Sequence, residues 1–278
     1  MRELRAGQAP AQTIVPQRSV VLSAGTLYTL PLEEVFAIAA AAGYDGVELI
    51  INDRFENCNP HRLLEKLIPI SPILSIHAPF FKIYGWGHGG LALIRCIELA
   101  RDFGIPLVNF HPPLWFPPEI AFRRWFYRVP DFQKLVVDSQ VIVTIENMPY
   151  VGKRFRFNPN ILKQSEDMLE FMKKHNLFMT FDTTHAGSHN PNFLGEFQRL
   201  HASGRVRNIH FSDYGHDREH LFPGRGILPL TRFLYMLKNW DYTGALTLEL
   251  SPVELPKKKE MMIESLQEVN EYLRAELF

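Results

Sequence analysis

The sequence predicts a single closed (β/α)8 barrel of the TIM type, on three observations. Eight short apolar runs recur along the chain, stretches of helical composition alternate with them, and no glycine-rich phosphate turn follows the first run. Strand–helix alternation implies a parallel sheet covered by helices. The open doubly wound alternative loses ground because S-A-G-T-L-Y at 23–28 is not G-x-G-x-x-G.

The runs fall at residues 19–25, 45–51, 72–78, 106–112, 141–147, 177–183, 206–213 and 245–251. Each is nearly continuous in apolar residues, as a strand buried on both faces requires. Helical periodicity or composition marks 32–42, 62–68, 91–103, 161–175, 193–201, 229–240 and 257–277. Gly43, Gly104 and Gly204 stand just past three of these helices, where a left-handed cap favours glycine. Between the fourth and fifth runs a helix is expected inside 118–139, with Pro130 interrupting it. Residues 1–18 have no apolar core of a signal peptide and read as a loose N-terminal arm; residues 19–278 form the barrel.

Among the 278 residues, 30 basic side chains balance 30 acidic ones. A zero net charge gives no overall attraction to nucleic acid or an anionic membrane, so a nucleic-acid partner needs a local patch. No run of 18 apolar residues is present, so no membrane partner and a cytoplasmic location are expected. Cys58 and Cys96 are far apart, form no metal or redox motif and read as packing residues. The oligomeric state stays open, a homo-oligomer included.

The chemistry sits at the ends of the runs. They close on Glu48 in G-V-E-L, His77 in S-I-H-A-P-F, His111 in N-F-H-P-P, Glu146 in T-I-E-N-M-P, Asp182 in F-D-T-T-H, His210 in N-I-H-F-S-D and Glu249 in T-L-E-L-S-P. A single buried His or Glu is usually a satisfied core residue, and Asp182 alone could be a helix cap. Seven consecutive strands ending this way, with only 11 histidines and 30 acidic residues in the chain, outweigh that reading. Barrel geometry gathers the ends at one mouth, where unpaired carboxylates repel one another. Cations relieve the conflict. Imidazole mixed with carboxylate suits a divalent transition metal, Zn²⁺ or Mn²⁺ first, better than Mg²⁺ or Ca²⁺. For Glu48 a role as ligand, as a carboxylate orienting a ligand histidine, or as a strand-end salt bridge remains open.

Glu146, Asp182, His210 and Glu249, together with A-A-A-A-G-Y-D-G-V-E-L at 39–49 and H-L-F-P-G-R-G at 220–226, resemble the xylose isomerase-like barrel superfamily. That superfamily includes sugar phosphate isomerases and epimerases and the endonuclease IV type of apurinic-site endonuclease. In the tagatose and psicose 3-epimerase branch, the resemblance implies one metal on Glu146, Asp182, His210 and Glu249, proton transfer by the two glutamates, and substrate binding by His185. In the endonuclease IV branch it implies three zinc ions. The first takes His77, His111 and Glu146, the second the four-residue set, and the third His185 with an Asp and a His from D-Y-G-H-D-R-E-H-L at 213–221. There the family's D-R-H-H becomes Asp217-Arg218-Glu219-His220, which leaves the third site resting on Asp217 with His220, or on His216. G-Y-D-G-V-E-L belongs to the isomerase branch, whereas His77 and His111 match the endonuclease.

Two basic-aromatic clusters, F-R-R-W-F-Y-R at 122–128 and G-K-R-F-R-F at 152–157, follow strands and are expected on the ligand face. Each reads equally well as anion- or nucleic-acid-binding or as a solvated or contact surface. Arg225 lies in the loop after the seventh strand, close to where barrels often hold phosphate. The reading expected from all this is a divalent-metal-dependent isomerase or epimerase of a small sugar or sugar phosphate. Glu146 and Glu249 exchange the proton in it, and His185, Arg225 and His220 bind substrate. The alternative is a zinc-dependent phosphodiesterase of the endonuclease IV kind acting on abasic DNA.

Overall fold

The computed structural model describes residues 18–152 and 156–277. Eight parallel strands close into a barrel: β1 (Val20–Ser23), β2 (Gly46–Ile50), β3 (Ile73–His77), β4 (Leu107–Phe110), β5 (Ile142–Glu146), β6 (Phe178–Asp182), β7 (Val206–Phe211) and β10 (Ala245–Leu248). Closure comes from β1 pairing with both β2 and β10, in the registers Leu22↔Val47 and Leu22↔Leu248. The expected barrel is therefore the observed one, and every anticipated run contains its strand. Between β7 and β10 a short antiparallel hairpin, β8 (Asp213–Gly215) with β9 (Arg218–Leu221), is an addition that the sequence reading did not anticipate.

Around the barrel lie α1 (Leu32–Ala41), α2 (Pro60–Leu67), α3 (Gly89–Phe103), α4 (Ile120–Arg128), α5 (Ser165–Lys174), α6 (Thr183–His189), α7 (Leu194–Ala202), α8 (Leu230–Asn239) and α9 (Lys259–Leu277). The helix expected inside 118–139 is α4, which lies wholly before Pro130. It ends at Arg128 because Val129, the residue before proline, is extended at φ −66° and ψ 117°. Phe122 and Phe126 are buried, and Phe126 stacks on Phe171 of α5 at 4.4 Å, so α4 belongs to the outer ring. Gly90 of α3 lets this helix approach, since a Cβ there would lie 2.4 Å from the Trp125 ring. The arginines of 122–128 thus sit on a helix whose apolar side faces the core. Arg123 among them reaches back to Trp115 O at 2.8 Å.

Strand alternation explains what fills the barrel. Two residues before His77, His111, Glu146, Asp182, His210 and Glu249 stand Ser75, Asn109, Thr144, Thr180, Asn208 and Thr247, all buried. Side chains two apart share a face of a strand, so these six form a layer just beneath the strand ends. Five of them bond within the layer: Thr144 Oγ1 to Thr180 Oγ1 at 2.8 Å, Thr144 to Asn109 at 3.2 Å and Thr247 to Asn208 at 2.9 Å. Barrel interiors usually hold branched apolar side chains. Here a polar layer supports the mouth, while the alternate residues, such as Ile76, Val108, Ile145, Phe181 and Ile209, are buried in the apolar core.

Of the expected arm at 1–18, Arg18 alone is described: its backbone N–H donates to Thr243 O at 3.2 Å and its guanidinium pairs with Asp241. Residues 1–17, with Lys153, Arg154 and Phe155 of the second basic-aromatic cluster, lie outside the described residues. Cys96 is fully buried in the core and Cys58 half-buried against it.

Candidate metal centre

Glu146 and Asp182 end β5 and β6, His77 ends β3, His210 is the penultimate residue of β7, and His111 and Glu249 immediately follow β4 and β10. Register does the gathering, with Asp182 opposite His210 and His77 opposite Asn109. Glu146 lies at the centre. Its Oε2 accepts from the Asn109 amide at 2.5 Å and sits 3.3 Å from His77 Nε2 and 3.5 Å from His111 Nε2. Its Oε1 is 3.1 Å from His185 Nδ1 and 3.4 Å from His210 Nδ1.

The backs of the histidines are fixed. His77 Nδ1 donates to Ala78 O at 2.8 Å, so the neutral ring points the Nε2 lone pair at a carboxylate oxygen, an arrangement that needs a proton or a cation between them. His185 Nδ1 donates to Asn147 O at 2.9 Å. His210 Nε2 lies 3.1 and 3.3 Å from the two Glu48 oxygens, and Glu48 in turn accepts from Ser75 Oγ at 2.9 Å. Of the three roles open for Glu48, this geometry is common to the orienting one and the strand-end salt bridge, and Glu48 stands outside the four-residue group.

Asp182 divides its carboxylate. Oδ1 caps α6 by accepting from the His185 N–H at 2.7 Å, while Oδ2 is buried with no hydrogen-bond partner among the described residues. The helix-cap reading of D-T-T-H is met by one oxygen, which leaves the other free for the candidate ligand role. His185, at the other end of that motif, is buried.

Glu146 Oε1 and His210 Nδ1 are likewise buried without a hydrogen bond among the described residues. Glu249 Oε2 is only 2.8 Å from His210 Nδ1, yet its angle does not make a bond. Polar atoms that crowd together without bonding are what the shell of a shared cation looks like. Left alone, each orphaned atom costs about 1–3 kcal/mol, more when charged. The donor set fits a divalent metal: Glu146, Asp182, His210 and Glu249 offer ligand atoms within 4.8 Å of one another. Two further groups meet the same criterion, His77 with His111 and Glu146, and Asp182 with His185 and His220.

Burial opposes charge at His77, His111, Glu146, Asp182, His185, His210 and Glu249, and mutual attraction overrides it at most of them. Glu48, Glu146 and Glu249 lift His210 well above the ordinary imidazole value, and Glu146 lifts His77. Asp182 and Glu146 raise His185 to about 10. His210 and its neighbours hold Glu146 and Glu249 below the usual carboxylate range. Burial wins at Asp182, which rises, and at His111, which falls. Protons on imidazole here compensate the carboxylates as a cation would.

Asp217, Arg225 and the alternative His216 are not brought into these groups among the described residues. Asp217 is exposed and binds Arg156 at 2.6 Å, with the Arg156 guanidinium also on Tyr214 Oη and Ser188 O. Arg225 binds the buried Glu254 at 3.2 Å and lies over the Phe222 ring. His220 does enter, from β9, with its ring 5.3 Å from that of His185. The polar layer beneath the ligands was missed, although Ser, Thr or Asn two residues before each of six strand ends was a readable signal.

Among known proteins, one of Mycobacterium leprae (strain TN), described as uncharacterized, is 29% identical over 93% of this chain and 99% of its own. Three solved structures share the fold at low identity. A D-tagatose 3-epimerase-like protein superposes with a TM-score of 0.68 at 19% identity, covering 92% of this chain and 97% of its own. The IOLI protein with a binding zinc atom gives 0.72 at 15%, covering 94% and 99%. Endonuclease IV from Thermus thermophilus gives 0.61 at 17%, covering 92% and 99%. Residues 36–272 match the model of one family, and the chain belongs to it: the xylose isomerase-like TIM barrel family.

Proposed function

We propose that this protein is a divalent-metal-dependent isomerase or epimerase of a small sugar, with Zn²⁺ or Mn²⁺ held by Glu146, Asp182, His210 and Glu249. The observation that carries the reading is the arrangement of those four. Asp182, His210 and Glu146 are 0–1% exposed at the side chain, whereas Glu249 is 17% exposed. All four hold the metal, and Glu249 presents the most exposed carboxylate of the set. When bound, the metal polarises the substrate's carbonyl and adjacent hydroxyl.

The chain's residues do the rest. Glu249, kept ionised by His210, takes the proton from the carbon beside the carbonyl; Glu146 accepts a proton from an imidazole at its flank and delivers it to that carbon, and exchange with solvent resets both. Glu48 fixes the His210 ring from behind. His185 and His220, 5.3 Å apart, are the substrate's partners beyond the metal, with His77 and His111 on the other flank of Glu146. The epimerase-like protein among the structural neighbours supports the choice of reaction class.

The test is exchange of a carbon-bound proton of a ketose with solvent deuterium, followed by NMR in the metal-replete protein. Exchange with at least one ketose, lost in Glu249→Gln, is the expected outcome; no exchange across a ketose panel rejects the reading. The His77–His111–Glu146 group favours a second reading, a zinc-dependent phosphodiesterase of the endonuclease IV kind acting on abasic DNA. Incision of a duplex with one abasic site, abolished in Glu146→Gln, would put that reading first.

A further inference from the structure

The loop after β7, where barrels commonly hold a substrate phosphate, is already occupied by a side chain of this protein. Asp213 is 1% exposed and its carboxylate takes four backbone N–H groups. Oδ1 accepts from Tyr214 at 2.9 Å and Leu228 at 3.0 Å, and Oδ2 from Gly224 at 3.0 Å and Gly226 at 2.9 Å. Converging backbone N–H groups of this kind form an anion cradle. The loop is built around the carboxylate: Gly224 holds φ +87°, and a Cβ at Gly226 would lie 2.3 Å from Asp213 Oδ1.

The same residue governs His220. Asp213 lies opposite Leu221 in the β8–β9 ladder, one residue from His220. Its carbonyl accepts from Thr184 Oγ1 at 3.0 Å, and Thr184 Oγ1 accepts from the His220 N–H at 3.2 Å. Arg225, the other candidate for a phosphate, is held by Glu254.

We infer that Asp213 is a positioning residue that fills the anion cradle from within, so that His220 is set in place without a substrate phosphate and the sugar turned over is unphosphorylated. The choice of sugar rests on the isomerase reading; the cradle does not.

In Asp213→Gly the four N–H groups face an anion-sized gap, reached from a cavity of about 330 Å³ lined by Gly224, Gly226, Thr231 and Tyr272. Thermal denaturation of this variant rises saturably with added formate, the lost carboxylate in free form, while the wild type is unmoved by formate or inorganic phosphate. A folded variant indifferent to formate overturns the inference, as does a wild type stabilised saturably by phosphate. Should the variant not fold, the wild-type phosphate titration still decides. For the reaction, kcat/KM favours a free ketose over its phosphate ester by more than about tenfold, and the reverse preference overturns the substrate assignment. If no ketose exchanges at all, the isomerase reading fails while the formate and phosphate titrations still report on the cradle.

Discussion

At the strand ends, Glu146, Asp182, His210 and Glu249 are brought within 4.8 Å by register, while Asp217 and Arg225, in the segment between β7 and α8, are drawn away to Arg156 and Glu254. The difference is one of constraint. A strand end is placed by its ladder, so a ligand there inherits its position from hydrogen bonds that the whole barrel shares. A loop side chain goes to whichever partner its backbone lets it reach. In the β8–β9 turn that backbone is unusual, with His216, Asp217 and His220 all at positive φ.

This contrast explains what the sequence disclosed. Apolar runs ending in His, Asp or Glu made the barrel readable, and with it the cluster of candidate ligands, because strand order and register convert directly into position. The outer-ring placement of α4 was hidden, because it depends on Phe126 meeting Phe171 from another helix. Asp217 was misjudged because its partner, Arg156, lies 61 positions away. The anchoring role of Asp213 was hidden too, because its partners are backbone N–H groups with no signature of their own.

The comparison can be sharpened at its supporting layer. Glu48→Gln keeps the shape behind His210 and removes the charge, and metal affinity is expected to fall about 10- to 100-fold. Titration with a competing chelator measures it. Unchanged affinity, in this variant and in Ser75→Ala, would mean that Glu48 is only a buried strand-end pair.

A smaller effect is expected in the pH dependence of the metal-free protein. His77, His185 and His210 are raised above the imidazole value of 6.5, His185 to about 10. Groups raised on folding stabilise fully below the unfolded value and lose that contribution as pH rises through the folded one. Metal-free protein therefore loses stability between about pH 7 and 10, whereas metal binding strengthens as imidazoles deprotonate. Asp182, also raised, acts in the same sense as the histidines; Glu146 and Glu249, lowered, are ionised throughout this window. The gap in Tm between metal-loaded and chelated protein should widen from pH 7 to pH 9. A gap that stays level or narrows would show that the strand-end histidines do not exchange protons for metal.

The most direct test is metal stoichiometry by elemental analysis, on wild-type protein and Asp182→Asn after identical loading and desalting. The account predicts one tightly held divalent ion per wild-type chain and none in the variant, with the barrel's circular dichroism retained in both. No metal in the wild type, or equal occupancy in the two proteins, would contradict the metal centre itself; three ions per chain would contradict the isomerase reading and favour the phosphodiesterase.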